Sequence, residues 1–279
     1  MDDVAGLRHT MRRVDAHVHG FPDRLALAVR NHLNRAGGLR AGPLLADVAG
    51  TVTAEGFDAA WLLPYAHREG VAASINEWSA DEARRFPHLI PGATFHPADE
   101  NLPDLVQRAL VELRLLVVKL HCSVGHFAAN DRRLQPLWET AERLGVPVVI
   151  HAGQHSPGET AAGEIDAIVP VLRGHRQLRL VLAHAGHPNT PHALALMAEF
   201  DNLYADLTPV WDRAVQVSAR DLSAYAGRFL FGSDAPNNPV AAGEQAKRFA
   251  TIGLDEGAFT LLMGGTAERL IDRGSDEKF

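Results

Sequence analysis

The sequence predicts an α/β fold, a single-domain (β/α)8 TIM barrel. Three observations predict it. Short apolar runs recur along all 279 residues, each followed by a turn and a helical pattern. Most of these runs are rich in Val, Leu and Ile without polar alternation, as parallel strands covered by helices require. Polar residues also gather at the C-terminal ends of the runs, where barrel active sites are built. The length suits one such barrel and no composition shift marks a boundary. Residues 1–279 are therefore expected to form one domain, with loose ends at 1–10 and 274–279.

Taken in order, the expected strands are Val14–His19, Phe57–Pro64, Leu89–His96, Leu115–His121, Pro147–His151, Leu178–His184, Asn202–Leu207 and Arg228–Ser233. Between them, Leu102, Leu105, Val106, Ala109, Leu110 and Leu113 form one apolar helical stripe. Leu134, Leu137, Trp138, Ala141 and Leu144 form a second, and Ile165, Ile168, Val169 and Leu172 a third. Gly145-Val-Pro147 stops the second helix and opens the next strand. A doubly wound sheet could be written from the same alternation. No Gly-rich phosphate loop follows the first strand, however, so a dinucleotide-binding version has no support. The segments PVVIHAG and LVLAHAG echo each other and put His151 and His184 at equivalent positions of successive βα units.

Composition narrows the function. Hydrophobic residues make up 46% and charged residues 22%, an ordinary globular balance. A net charge of -7 argues against nucleic acid or an anionic membrane as partner, since both need a surplus of Lys and Arg. The single cysteine, Cys122, excludes an internal disulfide framework and fits a reducing compartment. The N-terminus lacks an apolar signal core, and no apolar run approaches a membrane span. A soluble, cytoplasmic protein with a small-molecule partner is expected, with a homodimer as the default assembly.

The 15 histidines point to the chemistry. Asp15, His17 and His19 alternate with Val14, Ala16 and Val18, and a period of two puts all three polar side chains on one face. Further along, strands end at His96, at Lys119 and His121, at His151, at His184, at Asp206 and at Asp234. An apolar barrel mouth would be heavily destabilised by so many uncompensated polar groups. A divalent metal compensates them: His17, His19 and His151 are nitrogen donors and Asp234 adds a carboxylate. Three or four protein ligands with an open position suit catalysis, because a bound metal lowers the pKa of water from 15.7 to about 7. Asp234 and His184 then take the proton and orient the nucleophile. A closed structural site, often built from cysteines, does not match this pattern.

At DAHVH (Asp15–His19), VKLH (Val118–His121), VVIHAG (Val148–Gly153), LAHAG (Leu182–Gly186) and FGSDAP (Phe231–Pro236) the sequence resembles the amidohydrolase superfamily of metal-dependent barrels. Within it, the chain resembles the branch holding hydrolases and the nonoxidative decarboxylases related to aminocarboxymuconate semialdehyde decarboxylase. The resemblance runs roughly from Val14 to Leu270. It implies metal ligation by His17, His19, His151 and Asp234, and a catalytic or second-metal role for His184. Lys119 departs from the decarboxylase pattern, for it stands where binuclear members carry a carboxylated lysine bridging two metals. An ammonium about 5 Å from a divalent ion is disfavoured by about 7 kcal/mol at an effective dielectric near 20. That is roughly five pKa units, so a lysine so close is neutral or carboxylated. The alternative is that Lys119 turns away to pair with Asp206 or with substrate. One or two divalent ions are thus expected per chain; zinc suits the ligands, and iron or manganese bind the same set.

The leading expectation is a hydrolase that uses metal-activated water on an ester, lactone, thioester or amide. The alternative is a mononuclear nonoxidative decarboxylase of a small carboxylic acid. The acidic net charge and the absence of a basic stripe argue against a nuclease on the same barrel. His96, His121, His155 and Trp211 are candidates for substrate contact, with His126 and His187 as further strand-end candidates. The pocket is expected from the loops at 20–40, 65–73, 208–214 and 237–243. Asp15 is expected to support a histidine from behind, Cys122 to be a buried spectator, and Trp61 and Trp138 to lie in the core. His9, His32, His88 and His175 are expected to face solvent, and Arg132-Arg133 to belong to a helix-start charge cluster.

Overall fold

The structure is a computed structural model that describes residues 12–33, 42–153, 160–208 and 217–273. The loose ends expected at 1–10 and 274–279, and with them His9, lie outside the described residues, as do His155 and Trp211.

All eight expected strands form: β1 (Val14–Val18), β2 (Ala59–Leu62), β3 (Leu89–Thr94), β4 (Val117–His121), β5 (Val148–His151), β6 (Leu180–Leu182), β7 (Leu203–Asp206) and β8 (Phe229–Leu230). They lie side by side in chain order, every neighbouring pair parallel, with helices in the connections. The chain just beyond β8 returns to β1. Ala16 N donates to Phe231 O at 2.9 Å, Asp234 N to His17 O at 2.9 Å, and His19 N to Ala235 O at 2.7 Å. The eight strands are thereby drawn into a nearly closed barrel, a single domain.

Strand residues divide between two apolar layers. Val14, Ala59, Trp61, Val117, Val149, Val181 and Leu230 belong to the inner cluster. Ala60, Leu62, Val118, Leu120, Val148, Ile150 and Leu180 pack with the surrounding helices. Trp61 and Trp138 are buried, as expected, and so is Cys122.

Strand β1 departs from the expected alternation. Val14 pairs with Ala59 and Asp15 with Ala60, but Val18 pairs with Leu62, so β1 carries one more residue than β2 over this stretch. This β-bulge breaks the period of two. Asp15 shares the outward register of Ala60, while His17 and His19 come to the barrel mouth. Rather than backing a histidine ring, Asp15 Oδ1 accepts the backbone N–H groups of His17 (3.2 Å) and Ser233 (2.9 Å), tying β1 to the closing segment. Burial pushes its carboxyl up to about 7, against these hydrogen bonds.

The helical stripes are present in altered form. The first is an α-helix at Leu102–Gln107 that widens into a π-turn at Arg108–Glu112. The second is the helix Gln135–Leu144, closed by Gly145 in the left-handed region. The third splits into Ala161–Asp166 and Val169–Gly174, because Pro170 has no N–H to continue a helix and takes its place in the first turn of the second. Asp131 caps the start of the second stripe and pairs with Arg133, the expected charge cluster. Of the histidines expected to face solvent, His175 is instead buried, its Nδ1 2.8 Å from Glu142 Oε2. His88 is half-buried against the carbonyl of Ala49, and His32 lies on the helix Asp23–Leu33.

Gly232 lets the closing segment pass. A Cβ there would lie 2.6 Å from His17 Cβ and 2.5 Å from Thr208 Cγ2. Gly232→Ala is expected to destabilise the fold by about 1–3 kcal/mol, read as a lowered midpoint in urea unfolding. At Gly50, on the helix Leu45–Ala54, an added Cβ meets nothing within 4 Å. Gly50→Ala should therefore hold or raise the midpoint, by up to about 1 kcal/mol.

Candidate metal centre and active site

Two histidines and one aspartate converge at the barrel mouth. The β1 bulge delivers His17 and His19, and the closing segment delivers Asp234. His17 Nε2 lies 3.2 Å from His19 Nε2, and Asp234 Oδ1 lies 3.1 Å from His19 Nε2 and 3.9 Å from His17 Nε2. One donor atom from each residue falls within 4.8 Å of the others, the one such group of histidine, cysteine or acidic side chains among the described residues.

The hydrogen bonds behind the rings fix which nitrogen carries a proton. His17 Nδ1 donates to Asp206 Oδ2 at 2.7 Å, and His19 Nδ1 to the carbonyl of Leu63 at 2.7 Å. Both Nε2 atoms are thereby left as lone pairs that point at each other and at a carboxylate. Burial, then the Lys119 ammonium, push the His17 imidazole down to about 3 against the pull of Asp206, so it stays neutral. Burial alone would raise the Asp234 carboxyl, but the contacts with His19, His184 and His17 outweigh it and hold the group well below the usual carboxylate range. Lys119 Nζ, 3.3 Å from His17 Nε2, offers a hydrogen to one of these acceptors; an acceptor buried without a donor costs about 1–3 kcal/mol. A divalent cation satisfies all three together, and two imidazoles with a carboxylate are a donor set for one.

Asp206, at the end of β7, anchors much of this arrangement. Its Oδ2 holds His17, and its Oδ1 accepts His184 N at 2.8 Å and Thr208 Oγ1 at 3.2 Å. Burial would raise its carboxyl, yet His17, His184 and Lys119 bring it well below the usual range. The sequence marks Asp206 as a strand-end acid and as a possible partner of Lys119, but not as the residue that orients His17. His184 and Asp234 both sit in the left-handed backbone region, at φ 55° and 61°. His184 N donates to Asp206, and Asp234 N to His17 O, which holds these backbones where their side chains are needed.

A second group of imidazoles adjoins the first. His184 Nδ1 donates to the carbonyl of Thr208 at 2.8 Å, so its Nε2 accepts from His151 Nδ1 at 3.1 Å. His151 keeps its own Nε2 as a lone pair, and its ring stacks on His121 at 3.9 Å between centroids. His184 packs against His17, centroids 5.0 Å apart. Burial, followed by neighbouring charges, lowers the pKa of His121 and His151 well below the usual imidazole value; burial also lowers that of His184, against the pull of Asp234 and Asp206. His151 thus turns one nitrogen to His184 and does not join the three closest donor atoms. Lys119 is fully buried, its Nζ 3.3 Å from His17 Nε2, and burial lowers its pKa to about 8 against Asp206 and Asp234.

These groups open into a pocket of about 710 Å³, a size suited to a small molecule. His19, His121, His151, His184 and Asp234 form its polar floor. Phe21 and the helix residues Leu25, Ala28 and Val29, with Val124, form an apolar wall, and Tyr65, His67 and Asn237 complete it. The loops after β1, β2 and β8 contribute as expected. Tyr65 and His67 were not singled out by the sequence, since nothing in their spacing distinguishes them from loop residues. His96 does not line this pocket: its Nε2 donates to Gly125 O at 2.9 Å and its Nδ1 accepts from Ala98 N. His126 and His187 are exposed and also outside it.

A family model described as amidohydrolase matches residues 14–273. No curated protein matches the sequence. Among solved structures, the chain is similar to an uncharacterized TIM-barrel protein from Bordetella bronchiseptica, with a TM-score of 0.74 and 20% identity over 94% of this chain and 99% of that one. It is similar to 2,6-dihydroxybenzoate decarboxylase complexed with 2,6-dihydroxybenzoate, with a TM-score of 0.69 and 15% identity over 94% and 99%. It is also similar to 5-carboxyvanillate decarboxylase from Novosphingobium aromaticivorans complexed with manganese and a nitrobenzoic acid, with a TM-score of 0.69 and 12% identity over 94% and 96%. No helix among the described residues is long and apolar enough to cross a membrane.

Replacing Asp206 by Asn should loosen His17 and lower affinity for a divalent ion about 10–100-fold, as read by calorimetric titration with Mn2+ or Zn2+. Asp234→Ala removes a donor outright and should lower it further.

Proposed function

The chain belongs to the amidohydrolase family, and on that premise we propose that it is a metal-dependent lyase that releases carbon dioxide from a small carboxylic acid without an oxidant. The observation that carries this reading is the three-donor group of His17, His19 and Asp234, the one such group among the described residues, beside a pocket whose floor includes the neutral imidazoles of His121 and His151. That is a ligand set for one ion, and nonoxidative decarboxylation needs no second. Decarboxylases of aromatic acids among the structural neighbours add support.

His17, His19 and Asp234 would hold the ion, with the free Nε2 of His151 as the next donor available. A divalent ion there supplies a Lewis acid for an anionic substrate oxygen. The apolar wall of Phe21, Leu25, Val29 and Val124 excludes water and disfavours a carboxylate relative to neutral carbon dioxide. The net change replaces CO2 on the substrate carbon by a proton: R–CO2⁻ + H⁺ → R–H + CO2. His184 is the residue suited to carry that proton at Nε2, once the His151 Nδ1–H that this atom accepts gives way to it. Burial keeps it neutral at rest, while Asp234 and Asp206 favour the imidazolium once a proton arrives.

Hydrolysis of an ester, lactone, thioester or amide is the second reading. Lys119 favours it, buried beside His17 where a carboxylated lysine would serve a second ion.

The two readings separate in one assay. Metal-loaded protein is offered a panel of aromatic and enoic acids and a panel of esters, lactones, thioesters and amides. The expected outcome is CO2 from at least one acid, abolished by a chelator and restored by Mn2+ or Zn2+. Hydrolysis with no CO2 from any acid overturns the proposal. His184→Asn should lower kcat by about 10²–10⁴-fold while elemental analysis still finds one ion per chain.

A further inference from the structure

The floor of the pocket depends on a side chain that does not line it. His121 and His151 end neighbouring strands and are partners in the register of β4 and β5. Their rings stack at 3.9 Å between centroids. Two residues beyond each of them, the chain reaches the same carboxylate. Ser123 Oγ donates to Glu164, at 3.1 Å from Oε2 and 3.3 Å from Oε1, and Gly153 N donates to Glu164 Oε2 at 3.1 Å. Glu164 lies on the helix Ala161–Asp166, which Thr160 caps by accepting Gly163 N at 3.0 Å. Its neighbour Ile165 is buried in the core, and Glu164 itself is only 6% exposed.

The turn after β5 is pressed on one side and open on the other. A Cβ at Gly153 would lie 2.9 Å from Gly186 O and 3.2 Å from His187 O, so this turn abuts the one after β6. These are the two HAG segments, and across them His151 Nδ1 donates to His184 Nε2 at 3.1 Å. On the other side, Cys122 and Glu164 line a separate cavity of about 760 Å³, which shares no lining residue with the histidine pocket. There the ends of β4 and β5 meet a void rather than packed side chains, and the hydrogen bonds to Glu164 tie them together. Bonds to an ionised acceptor are about twice as strong as bonds between neutral groups.

We propose that Glu164 is a positioning residue for the histidine floor. By holding the chain beyond His121 and beyond His151, it sets the stack of the two rings and keeps the Nδ1 hydrogen of His151 on His184, which leaves His151 Nε2 a lone pair. Hydrogen bonds, not charge, do this. A glutamine of the same length retains them: its Oε1 accepts Gly153 N–H, and its amide meets the Ser123 hydroxyl, which both donates and accepts. This holds whichever reaction the pocket performs.

The full chain, with isotopically labelled histidines, is freed of metal so that no metal bond holds His151 in place. Two NMR signals report the geometry. One is cross-relaxation between the ring hydrogens of His121 and His151. The other is the separation of the two ring-nitrogen resonances of His151, which is wide for one fixed tautomer and narrows when tautomers exchange. Wild type and Glu164→Gln should show both signals, and Glu164→Ala should lose both. Ser123→Ala cuts the tie to the β4 end alone and should lose the cross-relaxation. A Glu164→Ala protein with wild-type histidine signals and only a lowered urea midpoint overturns the proposal, because its role is then purely structural. Glu164→Gln as perturbed as Glu164→Ala also overturns it, because charge is then what acts. If Glu164→Ala does not fold, Ser123→Ala decides, and undiminished cross-relaxation in that protein overturns the proposal.

Discussion

The barrel mouth is organised around lone pairs that face one another. Asp206 takes the proton-bearing nitrogen of His17, the Leu63 carbonyl takes that of His19, and both Nε2 atoms are left turned inward with Asp234 between them. Three acceptors at such separations do not stabilise one another. Their geometry is a demand for positive charge, met in part by Lys119 Nζ 3.3 Å from His17 Nε2, and it is enforced by partners buried behind the rings. The neutral state of His17, His121 and His151 follows from the same burial, since desolvation disfavours imidazolium.

Barrel closure and site assembly are one event. The bonds that join residues 231–235 to β1 also deliver Asp234 to His17 and His19. Asp15 supports this seam from the outer side by receiving one N–H from each of the two segments. The left-handed backbones at His184 and Asp234 occur where the chain leaves β6 and β8, and each is held by a bond into the same set of residues. Two of the six left-handed non-glycine backbones among the described residues thus stand at positions that present polar groups to the site.

Much of this was legible in the sequence because strands and ligands announce themselves by type. Eight apolar runs gave eight strands in order, and the strand-end residues His17, His19, His151, His184 and Asp234 all reach the pocket or the donor group. What was hidden depends on relations between segments. The bulge in β1 is invisible to a pattern of alternating residues, because it exists only relative to β2; it moved Asp15 away from the role of backing a histidine. Asp206 supplies that role from nearly the other end of the chain. Pro170 could have divided the third helical stripe on paper, but apolar periodicity alone carried across it. Tyr65 carried no spacing signal, and His96, though placed at a strand end, spends both ring nitrogens on its own loops.

The apolar wall comes from the helix Asp23–Leu33, an excursion after β1, whereas the donor group comes from strand ends and the closing seam. Selectivity and chemistry are therefore written in different stretches of chain. Drift in Leu25, Ala28 or Val29 can reshape what the cavity admits without disturbing the imidazoles, so descendants of this scaffold could diversify in diet while inheriting an unchanged engine.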